Sequence, residues 1–254
     1  MKFCVLIGVL FISIYSCKNK ESKSCSSCDK SELEILDSLD KIEVDKFSDS
    51  LSDSYETTSD LVDIQTLSEF VKVDLKYAGV DNFMKVKLYD KITKAFLQND
   101  VAERVVKCEE FLQVLHPNYR LLIYDAVRPV SIQQKMWDAL DTIPISARTK
   151  FVSNPANGSI HNYGAAVDIT ICDKSGTPLD MGAGYDDIRE IAYPRLESQF
   201  LESGELTLDQ VDNRKLLRKV MESQGFKNIA TEWWHFNACS RNEAKLKYKL
   251  LLNE

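Results

Sequence analysis

Val71, Val73, Leu75 and Tyr77 alternate with Lys72, Asp74 and Lys76, the period-two pattern of a strand with one buried face. Apolar residues at Ile92, Phe96, Ala102, Val105, Val106, Leu112 and Leu115 then recur at helical spacing, predicting one long helix over 91–115 or two shorter ones broken near Asn99. The run from Arg120 to Val127 reads as a strand, and after Pro129 a helix opens at Ser131, where Gln134 completes a capping box. A long loop from Pro144 to Tyr163 leads into Ala166 to Ile171, in which Val167, Ile169 and Ile171 share one face of a strand and Asp168 and Thr170 share the other.

Further on, Asp173-Lys174-Ser175-Gly176 has hairpin-turn chemistry, and Leu208 to Gln224 is helical with Gly225 as its terminator. Ala230 to Ala238 reads as a strand, and Arg241 to Leu252 as a short amphipathic helix that packs on the core. Strands and helices mix without strict βαβ alternation, and there is no internal repeat and no Gly-rich phosphate loop. The expectation is one α+β domain over 61–254, an antiparallel sheet flanked by helices with a metal site in a cleft.

The segment before residue 61 follows another pattern. After Lys2, the apolar run from Phe3 to Tyr15 is too short to span a bilayer as a mature helix but suits a signal-peptide core. It ends in Ile14-Tyr15-Ser16-Cys17, which resembles a bacterial lipobox and implies a signal peptide over 1–17 and a lipid on Cys17. Residues 18–60 are rich in Ser, Asp, Lys and Glu and read as a disordered tether holding a domain away from a membrane. The chain is therefore expected at the cell envelope, exported and anchored on the periplasmic or outer-membrane face.

Overall composition is that of a globular protein, with 44% hydrophobic and 28% charged residues, and the net charge of −7 argues against nucleic acid as a partner. Seven cysteines occur, and Cys25-Ser-Ser-Cys28 has no second pair to build a zinc site with, so it reads as incidental thiols or a local disulfide.

Only three histidines are present, and two lie in chemically suggestive company. His161 precedes Gly164 and Asp168, and His235 closes Glu232-Trp233-Trp234-His235. A catalytic zinc site needs three nitrogen or carboxylate ligands and one open position, which His161, Asp168 and His235 can supply. A loop turning at Gly164 brings His161 back beside Asp168. Glu232 then lies near the attacking water as general base. On a regular strand, positions 232 and 235 face opposite sides, so a bulge is expected, or Glu232 sits in the turn before the strand proper. Arg128 stands at a strand-to-helix junction, where catalytic groups are often displayed. His116, before Pro117 at a helix end, suits a surface or capping role, and Trp233 and Trp234 suit core or pocket walls.

Taken together, Ser159 to Asp168 (SxHxxGxAxD) and Glu232 to His235 (ExWH) resemble the motifs of the zinc D-alanyl-D-alanine dipeptidases, whose members include enzymes of vancomycin resistance. Tyr124 to Pro129, Lys76 to Phe83 and Met181 to Asp186 add to the likeness, which covers about residues 68–240. The resemblance implies one zinc ion on His161, Asp168 and His235, Glu232 as base, and Arg128 as stabiliser of the oxyanion. It further implies that Asp186 holds the substrate's ammonium group, with Ser159 and Tyr77 lining the pocket, and that the substrate is the D-Ala-D-Ala dipeptide. An exported enzyme of this kind would serve peptide recycling rather than depletion of a cytoplasmic precursor. Two other functions fit parts of the sequence. A DD- or LD-carboxypeptidase would need an open channel in place of an ammonium clamp. A non-catalytic, zinc-stabilised envelope-binding lipoprotein would need neither Glu232 nor Arg128.

Overall fold

Alternation and tertiary pairing decide the strands between them. The computed structural model describes residues 60–149 and 151–254, which fall in one compact unit over Leu51–Glu254. The expected signal peptide, lipobox cysteine and tether lie outside the described residues, apart from Asp60 at the tether's end. Leu61–Asp63 (β1) runs into the short helix Ile64–Leu67 (α1), followed by Lys72–Val73 (β2), Phe96–Gln98 (β3) and Asn99–Leu115 (α2). Tyr119–Asp125 (β4), Val130–Asp138 (α3), Ile145–Arg148 (α4) and Ala166–Asp173 (β5) come next. Glu197–Ser203 (α5), Leu208–Glu222 (α6), Lys227–Ile229 (β6), Glu232–Asn237 (β7) and Arg241–Lys247 (α7) complete the order.

The main sheet has the order β2-β4-β5-β7-β6, antiparallel throughout except where β2 pairs parallel to β4 at one edge; β1 and β3 form a separate antiparallel pair. The α+β class therefore holds. Helices α2 and α6 pack on the sheet through Val101, Val105, Leu112 and through Leu217, Val220, Met221, all with no exposed surface. Both faces of β4 and β5 are covered, which is why β4 reads as a continuous apolar run. A second cluster, formed by Ile132, Met136 and Trp137 of α3 with Tyr77, Leu88, Tyr89 and Val152, lies beside the first.

Several expectations are corrected. The strand over 71–77 shrinks to β2 because Lys76–Ala78 turn as a 3₁₀ helix, although Val71, Leu75 and Tyr77 are buried as the alternation required. Ile92 and Phe96 lie outside helix α2, since Phe96–Gln98 pair with β1 instead. Helix α3 starts at Val130 with Pro129 as its cap, and the Ser131–Gln134 capping box does not form. The N–H groups of Val130 and Ser131 donate instead to the carbonyls of Leu251 and Leu252. That accounts for the tail: α7 ends at Lys247, and the following residues run to the start of α3 without regular structure. Likewise, β7 begins at Glu232, after a turn at Ala230–Thr231. Among the described residues no helix is long and apolar enough to cross a membrane, and Cys108, Cys172 and Cys239 are free thiols.

Gly164 turns the chain between His161 and β5 with φ of 65°, and a Cβ there would meet Leu61 Cδ2 at 2.7 Å and the backbone nitrogen of Gln98 at 3.3 Å. Gly164→Ala is expected to destabilise the fold by about 1–3 kcal/mol through αL strain and this clash. In a domain of this size that is a fall in Tm of several degrees, read by calorimetry.

Candidate metal centre

Three strands lay their side chains in one cross-strand row. Asp168 of β5 pairs with His235 of β7, and on its other side with Asp125 of β4. The second pairing depends on a register shift between Ile123 and Asp125; an unbroken ladder would set Asp125 opposite Val167. Directly opposed residues share a face, so the bulge delivers Asp125 to the same side as Asp168 and His235. His161 reaches the row from the 3₁₀ turn Ile160–Tyr163, which Ser159 caps by accepting from the His161 N–H at 3.3 Å.

The donor atoms form a small triangle. His161 Nε2 lies 3.2 Å from His235 Nδ1 and 3.3 Å from Asp168 Oδ1, and His235 Nδ1 lies 2.9 Å from Asp168 Oδ1. Tetrahedral ligands about 2.0–2.2 Å from a zinc ion stand roughly 3.3–3.6 Å apart, so the triangle is a few tenths of an ångström tighter than a zinc ion requires and small side-chain shifts would open it to that size. Outer partners point the same way. His161 Nδ1 donates to the carbonyl of Ala126 at 2.6 Å, and His235 Nε2 donates to Asn237 Oδ1 at 2.9 Å. In the neutral rings the two facing nitrogens are then lone pairs, which converge with a carboxylate oxygen and repel one another unless a cation sits between them. The same preference for positive charge appears in His235, whose burial lowers its pKa while the bonded Asp168 raises it further, to about 8. Burial likewise works against ionised Asp168, but His161 and His235 hold its carboxyl well below the usual range.

Around the triangle opens a cavity of about 190 Å³ whose lining includes Tyr77, Arg128, Ser159, Asp186, Glu232 and Trp234 with the three donor residues. Every residue singled out in the sequence for catalysis, metal or substrate thus reaches one space. Glu232 is the first residue of β7, directly after the turn and opposite a bulge between Asn228 and Ile229, so both it and His235 face the cavity, with Oε2 3.8 Å from His235 Nδ1. Burial raises the Glu232 pKa, with His235 opposing and Asp168 assisting, and its side chain keeps 30% of its surface open. Asp186 adopts φ of 58°, a left-handed conformation uncommon for a residue with a Cβ. Its Oδ1 accepts from the Tyr77 hydroxyl at 3.1 Å, while its buried Oδ2 has no hydrogen-bond partner. Burial pushes the Asp186 pKa well up, with Asp168 adding to the effect.

Some residues of the site were not singled out from the sequence. Asp125 accepts from Arg128 Nε at 2.9 Å and from the Tyr89 hydroxyl at 2.5 Å, while Gln133 accepts from Arg128 Nη1 at 3.2 Å. Tyr185 donates to Asp168 Oδ2 at 3.0 Å, and Asn237 orients His235. Position offered the one signal, for Asp125 stands within the Tyr124 to Pro129 motif and Tyr185 beside Asp186. Away from the site, His116 caps α2 and stacks on Tyr119 at 5.1 Å, and Trp233 is core.

A donor triangle open to a cavity, with an uncoordinated carboxylate and a guanidinium at its edge, is the arrangement of a metallopeptidase. Sequence comparison agrees on the class and narrows it. The chain belongs to the Peptidase_M15 family, described as D-ala-D-ala dipeptidase, whose model matches residues 57–249. The D-alanyl-D-alanine dipeptidase of Escherichia coli (strain K12) is 32% identical over 179 residues, covering 70% of this chain and 84% of that one. The enzymes of the same name from Enterococcus faecium and Synechocystis sp. are 29% and 28% identical, covering 65% and 56% of this chain and 85% and 68% of theirs.

Proposed function

We propose that this protein hydrolyses D-alanyl-D-alanine to two D-alanines, with one zinc ion per chain on His161, Asp168 and His235. The convergence of the donor triangle, Glu232, Arg128 and Asp186 on one cavity carries the reading. Relatives named for this activity support it. When bound, the metal supplies a Lewis acid that acidifies water and polarises the scissile carbonyl. Glu232, its proton affinity raised by burial in the cleft, takes the proton of the attacking water on a carboxylate oxygen and hands it to the leaving amine nitrogen. Arg128 presents a fixed guanidinium where negative charge grows on the carbonyl oxygen. Asp186 Oδ2, buried without a partner, takes the substrate's ammonium group; Tyr77 holds the other oxygen, and Ser159 lines the pocket while bracing His161. A desolvated carboxylate in want of a cation selects a free N-terminus, which separates a dipeptidase from a carboxypeptidase.

Purified protein with zinc is expected to release D-alanine from D-Ala-D-Ala and not from its N-acetyl derivative, to lose activity on chelation and to regain it with zinc. Asp186→Asn should abolish most of the turnover of the free dipeptide. Equal turnover of the acetylated compound, or indifference to Asp186→Asn, would favour a carboxypeptidase. No turnover by zinc-loaded protein would end the proposal.

The N-terminal sequence supports export and anchoring by a lipid on Cys17, with residues 18–60 as tether. Mass spectrometry of the mature N-terminus is expected to find lipidated Cys17, and an unmodified or unprocessed terminus would refute the anchor.

A further inference from the structure

Asp168 uses its two carboxylate oxygens differently. Oδ1 faces both imidazoles, whereas Oδ2 accepts from the Tyr185 hydroxyl at 3.0 Å and from Arg128 Nη2 at 3.3 Å. Tyr185 approaches from behind the carboxylate: its ring packs against Tyr124 at 5.1 Å, Trp234 at 5.5 Å and Tyr77 at 6.0 Å, and it is not among the residues lining the cavity. Its neighbour Asp186 lies on the cavity wall. Tyr185 and Asp186 are the central residues of a turn in which the Asp187 N–H donates to the Gly184 carbonyl at 3.4 Å, and Asp186 takes a left-handed φ of 58° there. Few residues other than glycine take that conformation, though aspartate tolerates it better than most, and it persists where the surroundings require the geometry. This turn lets two consecutive side chains serve one site, Tyr185 on the Asp168 carboxylate and Asp186 on the cavity wall.

We propose that Tyr185 is a positioning residue for the metal, its hydroxyl fixing Asp168 so that Oδ1 alone is presented to the ion. The inference rests on the metal reading above and assigns no contact with substrate to Tyr185. Hydrogen bonds to a ligating carboxylate set its orientation, and losing one typically weakens metal binding by about 10–100-fold.

The test is zinc affinity, measured by competition with a chromophoric chelator on the full-length protein, for wild type and for Tyr185→Phe, Tyr77→Phe and His161→Ala. Tyr185→Phe keeps the ring that packs on Tyr124 and Trp234, and the thermal midpoint without added metal reports its folding. The expected result is zinc binding about 10–100-fold weaker in Tyr185→Phe and unchanged in Tyr77→Phe, whose hydroxyl bonds Asp186 instead. Wild-type affinity in Tyr185→Phe, or an equal loss in both tyrosine variants, would overturn the assignment. A Tyr185→Phe chain that does not fold would overturn it too, since the hydroxyl would then serve the fold. If His161→Ala also binds zinc like wild type, the metal reading itself fails.

Discussion

Glu232→Gln is expected to lower kcat for D-Ala-D-Ala by about 10²–10⁴-fold while zinc content stays at the wild-type level. Glutamine matches glutamate in shape, so the cavity wall and the turn before β7 are retained, and only the capacity to accept a proton is lost. The geometry separates this residue from the three proposed ligands. Its Oε2 stands 3.8 Å from His235 Nδ1, outside the triangle whose sides are 2.9, 3.2 and 3.3 Å. Glu232 is not part of the cluster of donor atoms formed by His161, Asp168 and His235, and it lines the cavity onto which that cluster opens. Steady-state kinetics together with zinc analysis of the same preparation check the claim. A variant that lost zinc would show Glu232 to be a ligand, and one that kept wild-type kcat would move the base elsewhere.

The convergence of His161, Asp168 and His235 was legible because its determinants are local. Histidine is scarce in this chain, Gly164 announces the turn that returns His161 to Asp168, and the alternation of Val167, Ile169 and Ile171 fixes which face Asp168 occupies. The hard cases are those in which distant residues decide. Phe96 belongs by spacing to the helix after it, yet β1 captures it as a strand, and no pattern near residue 96 records that pairing. Ser131 and Gln134 make a sound capping box on paper, but carbonyls from Leu251 and Leu252, at the other end of the domain, satisfy the first N–H groups of α3. Asp125 lies in a strand buried on both faces, so alternation could not show which way it points, and only the bulge beside it brings it level with Asp168. Asp186 holds a left-handed conformation that aspartate tolerates better than most residues, but the type alone does not single out this position among the chain's many acids. These are the positions where a local rule yields to the needs of a site or of a non-local contact.

Asp125 also governs what substitution of Arg128 does. Arg128→Lys is expected to lower kcat by about 10²–10³-fold, the scale of losing one donor to a developing oxyanion, even though a positive charge remains. Arg128 is fixed on four sides. Its Nε and Nη2 meet Asp125 Oδ2 at 2.9 and 2.7 Å, Nη1 meets Gln133 Oε1 at 3.2 Å, Nη2 meets Asp168 Oδ2 at 3.3 Å, and its guanidinium carbon lies 5.0 Å from the centre of the Tyr77 ring. A lysine ammonium is a single point and cannot span Asp125 and Gln133 while still facing the cavity. Asp125 is fully buried, and burial raises its pKa against the lowering effect of Arg128, so loosening this pair also costs stability. Complete removal of one partner from such a pair costs about 3–5 kcal/mol, and the lysine variant should lose part of that. Kinetics and thermal unfolding of the same variant separate the two roles. A drop in Tm with kcat intact would leave Arg128 a structural partner of Asp125, whereas a loss of kcat larger than any change in zinc content or folded fraction assigns it to the transition state.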